Sequence, residues 1–174
     1  MKYIFETERL RARRFEPGDA KGLYAIHRDE EVIKWIPDES YEDMAEAEEA
    51  AVFFAECTDK GELPYVLAAE LKETGELIGD TGINEVEGRP EEVEIGFVIC
   101  GEQRGKGYAA ELLAAMTEYA FSAFGINALY GRVMKGNDAS ARVLEKCGYS
   151  LIKEEYGAED DPYGNSMLIY LKKR

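Results

Sequence analysis

Arg104-Gly105-Lys106-Gly107-Tyr108-Ala109 is the segment whose residue types and spacing are best suited to hold a ligand. Upstream, Val93 to Ile99 alternates and is rich in β-branched side chains, the pattern of a strand. Downstream, Leu112, Met116, Tyr119, Ala120 and Phe124 recur at helical spacing. A glycine loop between a strand and a helix N-terminus exposes backbone N–H groups and the positive end of a helix dipole, which suits a pyrophosphate. Charge points the same way. From Arg104 to Lys153 there are seven basic and four acidic residues, so this segment carries +3 in a chain of net charge −15, and the remainder carries −18.

Three ligands compete for such a loop. Gly105-x-Gly107-x-x-Ala110 fits a dinucleotide fingerprint, which needs a ribose-binding carboxylate at the end of the following strand. That strand ends Arg132-Val133-Met134-Lys135, without one. A P-loop is excluded because Gly107 follows Gly105-Lys106 where Ser or Thr must hold magnesium. A purely structural glycine turn stays open on the loop alone.

Around the loop the pattern predicts one domain over residues 1–174, since no repeat, low-complexity tract or linker interrupts it. Strands are expected at 3–5 and 9–15, near 63–71 and 76–86 across the turn Glu73-Thr74-Gly75, and at 92–99, 128–134, 149–156 and 166–172. Helices are expected from Pro17 to His27 with Asp19 as cap, from Ser40 to about Cys57, through 110–124, and from Asn137 to a stop at Gly148. Two antiparallel groups of strands around a few helices make an α/β chain with a mixed sheet, not a doubly wound one.

Composition narrows the function. A pI near 4.6 argues against a nucleic-acid partner, and the apolar runs are too short to span a membrane. The acidic start after Met1 is not a secretory signal, and three scattered cysteines (Cys57, Cys100, Cys147) read as reduced thiols of a cytoplasmic protein. A lone histidine, His27, leaves no His-based zinc site or triad, so no metal is expected; it reads as a partly exposed residue of the first helix.

A third pattern accounts for the loop. Arg104-x-x-Gly107-x-Ala109 resembles the signature with which the GNAT N-acetyltransferase superfamily binds the pyrophosphate of acetyl-CoA. Glu6-Thr7-Glu8-Arg9-Leu10-Arg11, Leu77-Ile78-Gly79-Asp80, Glu94-Ile95-Gly96-Phe97 and Asn137-x-x-Ser140 leading to Leu144-Glu145-Lys146-Cys147-Gly148-Tyr149 resemble the ribosomal-protein (Rim-type) alanine N-acetyltransferase branch, in family order over residues 3 to 173. The resemblance implies a GNAT fold, with a central, mostly antiparallel sheet of six to seven strands flanked by about four helices.

It also implies transfer of an acetyl group from acetyl-CoA, as co-substrate, to a primary amine by direct attack in a ternary complex. The acceptor it implies is a protein N-terminal α-amine. The alternatives are a small cationic amine such as a polyamine or aminoglycoside, or a non-catalytic CoA-binding module. The attacking amine must be neutral. A lysine-like amine is only roughly one part in 10³ neutral at pH 7, whereas an α-amine is roughly a tenth neutral, so the former needs a base. The family places a carboxylate at Glu94, with Asn84 on the neighbouring strand able to orient substrate or water. The resemblance further implies a backbone N–H near Val98 or Ile99 aimed at the acetyl oxygen. By the resemblance Ser140 would stand near the sulfur and Asn137 would hold the pantetheine or the start of its helix, while Leu144 occupies the place of a tyrosine acid found in many members. Arg104, Gly105, Lys106, Gly107, Tyr108, Ala109, Arg142 and Lys146 complete the expected donor site. The oligomeric state is left as monomer or homodimer.

Overall fold

The structure, a computed structural model, describes residues 2–86 and 88–174. Its elements run β1 (Phe5–Glu6), β2 (Leu10–Arg13), α1 (Ala20–His27), α2 (Glu30–Trp35), α3 (Met44–Lys60), β3 (Tyr65–Leu71), β4 (Leu77–Val86), β5 (Arg89–Ile99), α4 (Tyr108–Ala123), β6 (Ala128–Met134), α5 (Asp138–Lys146), β7 (Ser150–Glu155) and β8 (Met167–Lys173). Short 3₁₀ turns occupy Pro17–Asp19, Pro37–Glu39 and Gly101–Gln103. Among the described residues no helix is long and apolar enough to cross a membrane.

One eight-stranded sheet results, in the order β1-β2-β3-β4-β5-β6-β8-β7. Strands β1 to β5 are antiparallel neighbours, β6, β8 and β7 form a second antiparallel group, and the parallel pair β5–β6 joins the two. The described residues form eight strands, as many as the segments read as strands and more than the six to seven that the resemblance implies; the strand expected at 3–5 lies at Phe5–Glu6. The fifth α-helix is α2, six residues that periodicity does not reveal, capped by Asp29, whose carboxylate accepts from the Glu31 and Val32 N–H groups. The helix expected from Ser40 begins at Met44, because Asp43 takes the Glu46 N–H and Glu46 reaches back to the Glu42 N–H. Ser40 instead donates to the Pro37 carbonyl.

Both faces of the sheet are covered. Along β3, Tyr65, Leu67 and Ala69 pack toward α4, while Val66 and Ala68 pack with Leu23, Ala51 and Ala55 of α1 and α3. That is why β3 reads as a near-continuous apolar run. A buried ion cluster locks the α1 side: Arg13 pairs with Asp19 at 2.7 Å and with Glu70 at 2.8 Å.

The β4–β5 pairing is tight where the chain approaches the glycine loop. A Cβ on Gly79 would run into the Val98 carbonyl oxygen, which is backbone and cannot give way. Gly79→Ala is therefore expected to cost about 3 kcal/mol, the upper part of the usual range for overpacking. The check is a lowered urea midpoint at unchanged m-value.

Candidate active site

Strands β5 and β6 diverge. Their parallel pairing holds a single registered pair, Glu94 with Tyr130, and beyond it the ladder opens toward the end of β5. In the β4–β5 ladder Asp80 pairs with Val98, and Cys100 N–H donates to the Ile78 carbonyl at 2.7 Å. Alternate residues of an antiparallel strand turn their polar groups the same way, so Val98 faces β4 while Ile99 faces the gap. Of the two residues expected to present an N–H, Ile99 is the one with that direction.

The gap leads to the glycine loop. Gly105 and Gly107 have φ of +75° and +84°, backbone that only glycine adopts freely, and Gly107 is the N-cap of α4 without any side-chain cap. A helix start capped by no side chain keeps first-turn N–H groups for an anion. The split sheet and this bare helix start fit the pantetheine arm and pyrophosphate of acetyl-CoA. The charged loop residues are more occupied than expected. Arg104 donates to the Ile99 carbonyl at 3.0 Å and to Asp29 at 2.8 Å, and Lys106 donates to Gln103 at 2.8 Å. Tyr108 opens α4 with its ring beneath the Arg9 guanidinium, 4.4 Å away, and Ala109 follows it, packed beside the core cluster of Leu10, Ile99 and Leu112. Arg142 and Lys146 are exposed on α5, with no hydrogen bond to the loop among the described residues.

On the acceptor side the gap opens into a cavity of about 1120 Å³ whose wall brings together Glu94, Asn84, Asn137, Ser140 and Leu144. Asn84 is the registered partner of Glu94 across β4–β5. Asn137 caps α5, accepting the Ser140 N–H at 3.3 Å, which sets Ser140 in the first helical turn. Leu144 is 1% exposed and packs on Gly131, where a Cβ would meet its methyl groups at 2.7 Å.

Glu94 keeps 29% of its side chain accessible, toward the cavity, while the surrounding walls remove it from bulk water. Burial pushes its carboxyl up to about 7; Arg132, 3.9 Å away, opposes this, and the charges of Glu39 and Asp160 add to it. Arg132 is itself held by Asp160 at 2.9 Å and Glu155 at 3.1 Å, so its charge is shared rather than given to Glu94 alone. None of Arg132, Glu155 or Asp160 stands out in the sequence, because their meeting depends on β8 inserting between β6 and β7.

His27 is the largest departure from expectation. It is 3% exposed rather than partly exposed, with Nε2 2.8 Å from Asp80 Oδ2 and Nδ1 2.8 Å from the Glu39 carbonyl. Both partners are acceptors, so both ring nitrogens donate and the ring is an imidazolium. Burial alone would lower its pKa, but the charge and hydrogen bond of Asp80, helped by the Glu39 carbonyl, outweigh it and raise it to about 9. The pair fastens the 37–41 segment, which carries Glu39, Ser40 and Tyr41 on the cavity wall. A signal for it existed: Asp80 is a carboxylate inside the apolar run Leu77-Ile78-Gly79, and a buried charge needs a partner.

These features coincide with those of known proteins. The family model described as Acetyltransferase (GNAT) domain matches residues 9–150, and the chain belongs to that family. It is an N-acetyltransferase that uses acetyl-CoA. It is 28% identical over 175 residues to the uncharacterized N-acetyltransferase YoaA of Bacillus subtilis, covering 98% of each chain. It is 25% identical over 143 residues to a spermidine N(1)-acetyltransferase of Vibrio cholerae, covering 82% of this chain and 80% of that one. In fold it matches the ribosomal-protein-S5-alanine acetyltransferase of Vibrio fischeri with a TM-score of 0.81 at 17% identity, over 97% of this chain and 95% of that one.

Proposed function

We propose that the cavity receives the primary amine of a compact polycation, of the polyamine or aminoglycoside class, and that Glu94 prepares it for attack on the acetyl group held across the β5–β6 gap. The observation that carries this reading is the charge of the cavity wall. Among the described residues nine lining side chains are carboxylates, against one histidine and two arginines. His27 engages Asp80, and the arginines engage Glu155 and Asp160. Asp38, Glu39, Glu46 and Glu85 have no ion pair among the described residues and face the same space. Such a wall favours an acceptor carrying positive charge beyond the reacting nitrogen. Trp35, Phe54, Phe97 and Tyr156 supply aromatic surface that suits alkylammonium groups.

A protein N-terminal α-amine is the second reading, favoured by the blocks shared with the Rim-type branch. The named relatives divide in the same way, one a spermidine acetyltransferase and one a ribosomal-protein acetyltransferase.

Bound acetyl-CoA supplies a thioester acyl donor. The chain's own residues then have distinct tasks. Glu94, as carboxylate, accepts the proton of the ammonium directly or through a water oriented by Asn84, leaving the neutral nucleophile. The Ile99 N–H, facing the gap, is placed to stabilise charge on the acetyl oxygen, a contribution of about 3–4 kcal/mol for one preorganised donor. Ser140 donates toward the departing sulfur from the first turn of α5, and Asn137 holds that turn. Leu144 brings no proton, so the serine carries this task alone.

The test is thiol release from acetyl-CoA across a panel of spermidine, an aminoglycoside, a lysine derivative and a set of N-terminal peptides. The expected result is turnover of the polycations with kcat/KM at least about tenfold above the peptides, the discrimination that about 1.4 kcal/mol supplies. Preference for a peptide would move the assignment to the N-terminal amine. Acetyl-CoA binding without thiol release from any amine would overturn both.

A further inference from the structure

We infer that Arg9, outside the glycine loop, is a positioning residue for the donor: with Glu111 it clamps the loop so that the Gly107 N–H points at the pyrophosphate. The inference rests on the reading of that loop as the pyrophosphate cradle.

The loop cannot hold its own direction. Gly105 and Gly107 both have the conformational freedom of residues lacking a Cβ, and Gly107 is the N-cap of α4. The peptide between Lys106 and Gly107 can present either its carbonyl or its N–H to an incoming anion, and only the second arrangement binds one. Arg9 settles the choice. One terminal nitrogen of its guanidinium donates to the Lys106 carbonyl at 2.9 Å, and the other lies against Gly107, 3.4 Å from where a Cβ would stand. A trans peptide is planar, with its C=O and N–H directed oppositely. Drawing the Lys106 carbonyl toward Arg9 therefore turns the Gly107 N–H away from it, to the open side of the loop.

Arg9 is fixed in turn. Its Nε donates to Glu111 Oε2 at 2.7 Å, its other terminal nitrogen pairs with the same oxygen at 2.7 Å, and the guanidinium lies 4.4 Å above the Tyr108 ring. Glu111, in the first turn of α4, also accepts from the Arg9 backbone N–H at 2.8 Å and the Thr7 hydroxyl at 2.5 Å. The 7–9 turn, the loop and the helix start thus form one connected unit, tied across about a hundred residues of chain. With Glu111 neutralising it, Arg9 acts on the ligand through the loop rather than as a phosphate-binding cation.

The experiment compares Arg9→Met with the wild-type chain on two donors, acetyl-CoA and S-acetylpantetheine, which lacks the pyrophosphate. A weakened clamp is expected to raise KM for acetyl-CoA about tenfold while leaving kcat, KM for the amine, and kcat/KM for S-acetylpantetheine within about twofold. Glu111→Gln is expected to do the same more weakly, and the double variant to lose less than the product of the two, because one contact carries both effects. Unchanged KM for acetyl-CoA in Arg9→Met, in a chain that prefers acetyl-CoA over S-acetylpantetheine, would overturn the clamp and leave the cradle standing. Equal weakening of both donors with a lowered Tm would make Arg9 a fold residue only. A wild-type chain indifferent to the pyrophosphate would remove the cradle itself, and the clamp with it.

Discussion

Glu94→Gln is expected to lower kcat/KM for the amine by about 10²–10³-fold, within the range that a positioned general base contributes. The argument begins with the acceptor. A polyamine nitrogen with a pKa near 10.4 is almost wholly protonated at pH 7, so a proton must leave before the nitrogen can attack. A carboxylate of ordinary pKa would be too weak a base to help much. Glu94 is different because the cavity walls take it out of bulk water and push it up to about 7, close to where a general base works best. Below that value the carboxyl is protonated and cannot accept; above it the carboxylate is available. The wild-type kcat/KM is therefore expected to climb through pH 7 with a limb belonging to Glu94, added to the steady rise that comes from the amine. Glutamine keeps the shape and a hydrogen-bonding oxygen but accepts no proton, so its profile should retain only the amine's rise. A Glu94→Gln enzyme with wild-type rate and an intact limb at pH 7 would assign the base to another group.

How much of this was legible in the sequence depends on the range of each interaction. The glycine loop was, because Gly105 and Gly107 mark positive φ and their neighbours change period from two to 3.6 at that point. The α5 start was, because Asn137 and Ser140 are three residues apart and their hydrogen bond is local. Strand β6, expected at 128–134, has those bounds, its turn signals lying on both sides. Glu94 and Asn84 could be chosen as candidates, but not their pairing across β4–β5, which register alone decides. Long-range pairings stayed hidden. His27 and Asp80 are 53 residues apart and Arg9 and Glu111 are 102; the Asp80 carboxylate beside an apolar run signals a partner without naming it, and nothing local marks the second pair. The order β6-β8-β7 was equally silent, and with it the gathering of Arg132, Glu155 and Asp160 beside Glu94. Charge counting did indicate an acidic remainder of the chain, yet not that much of it lines one cavity. Arg104 was expected to bring charge to the loop, and its donors turn inward to Ile99 and Asp29, a pairing no local pattern announces.

The second large effect concerns stability, and it comes from the histidine that the sequence reading placed as partly exposed. In the unfolded chain the imidazole has its ordinary pKa of about 6.5. In the fold, Asp80 and the Glu39 carbonyl hold it up at about 9, against the opposing pull of burial. The folded state therefore binds the proton more tightly than the unfolded state. This stabilisation is complete below pH 6.5 and is lost as pH rises through 9, with a size of about 3 kcal/mol for a separation of that order. Because other groups also titrate, the measurement is a difference. Urea stability of the wild-type chain and of His27→Gln is followed from pH 6 to pH 9.5. The gap between them is expected to be widest at pH 6 and to narrow by about 3 kcal/mol across the interval, with the wild-type chain doing the falling. The same loosening should reach the site, because the His27 bond to Glu39 is what holds the 37–41 segment against the cavity. KM for the amine is expected to rise in His27→Gln while KM for acetyl-CoA, whose proposed place is the β5–β6 gap and the glycine loop, stays within about twofold. A gap that does not change with pH would mean that the ring is neutral in the fold, and the 37–41 segment would then be fastened by packing rather than by charge.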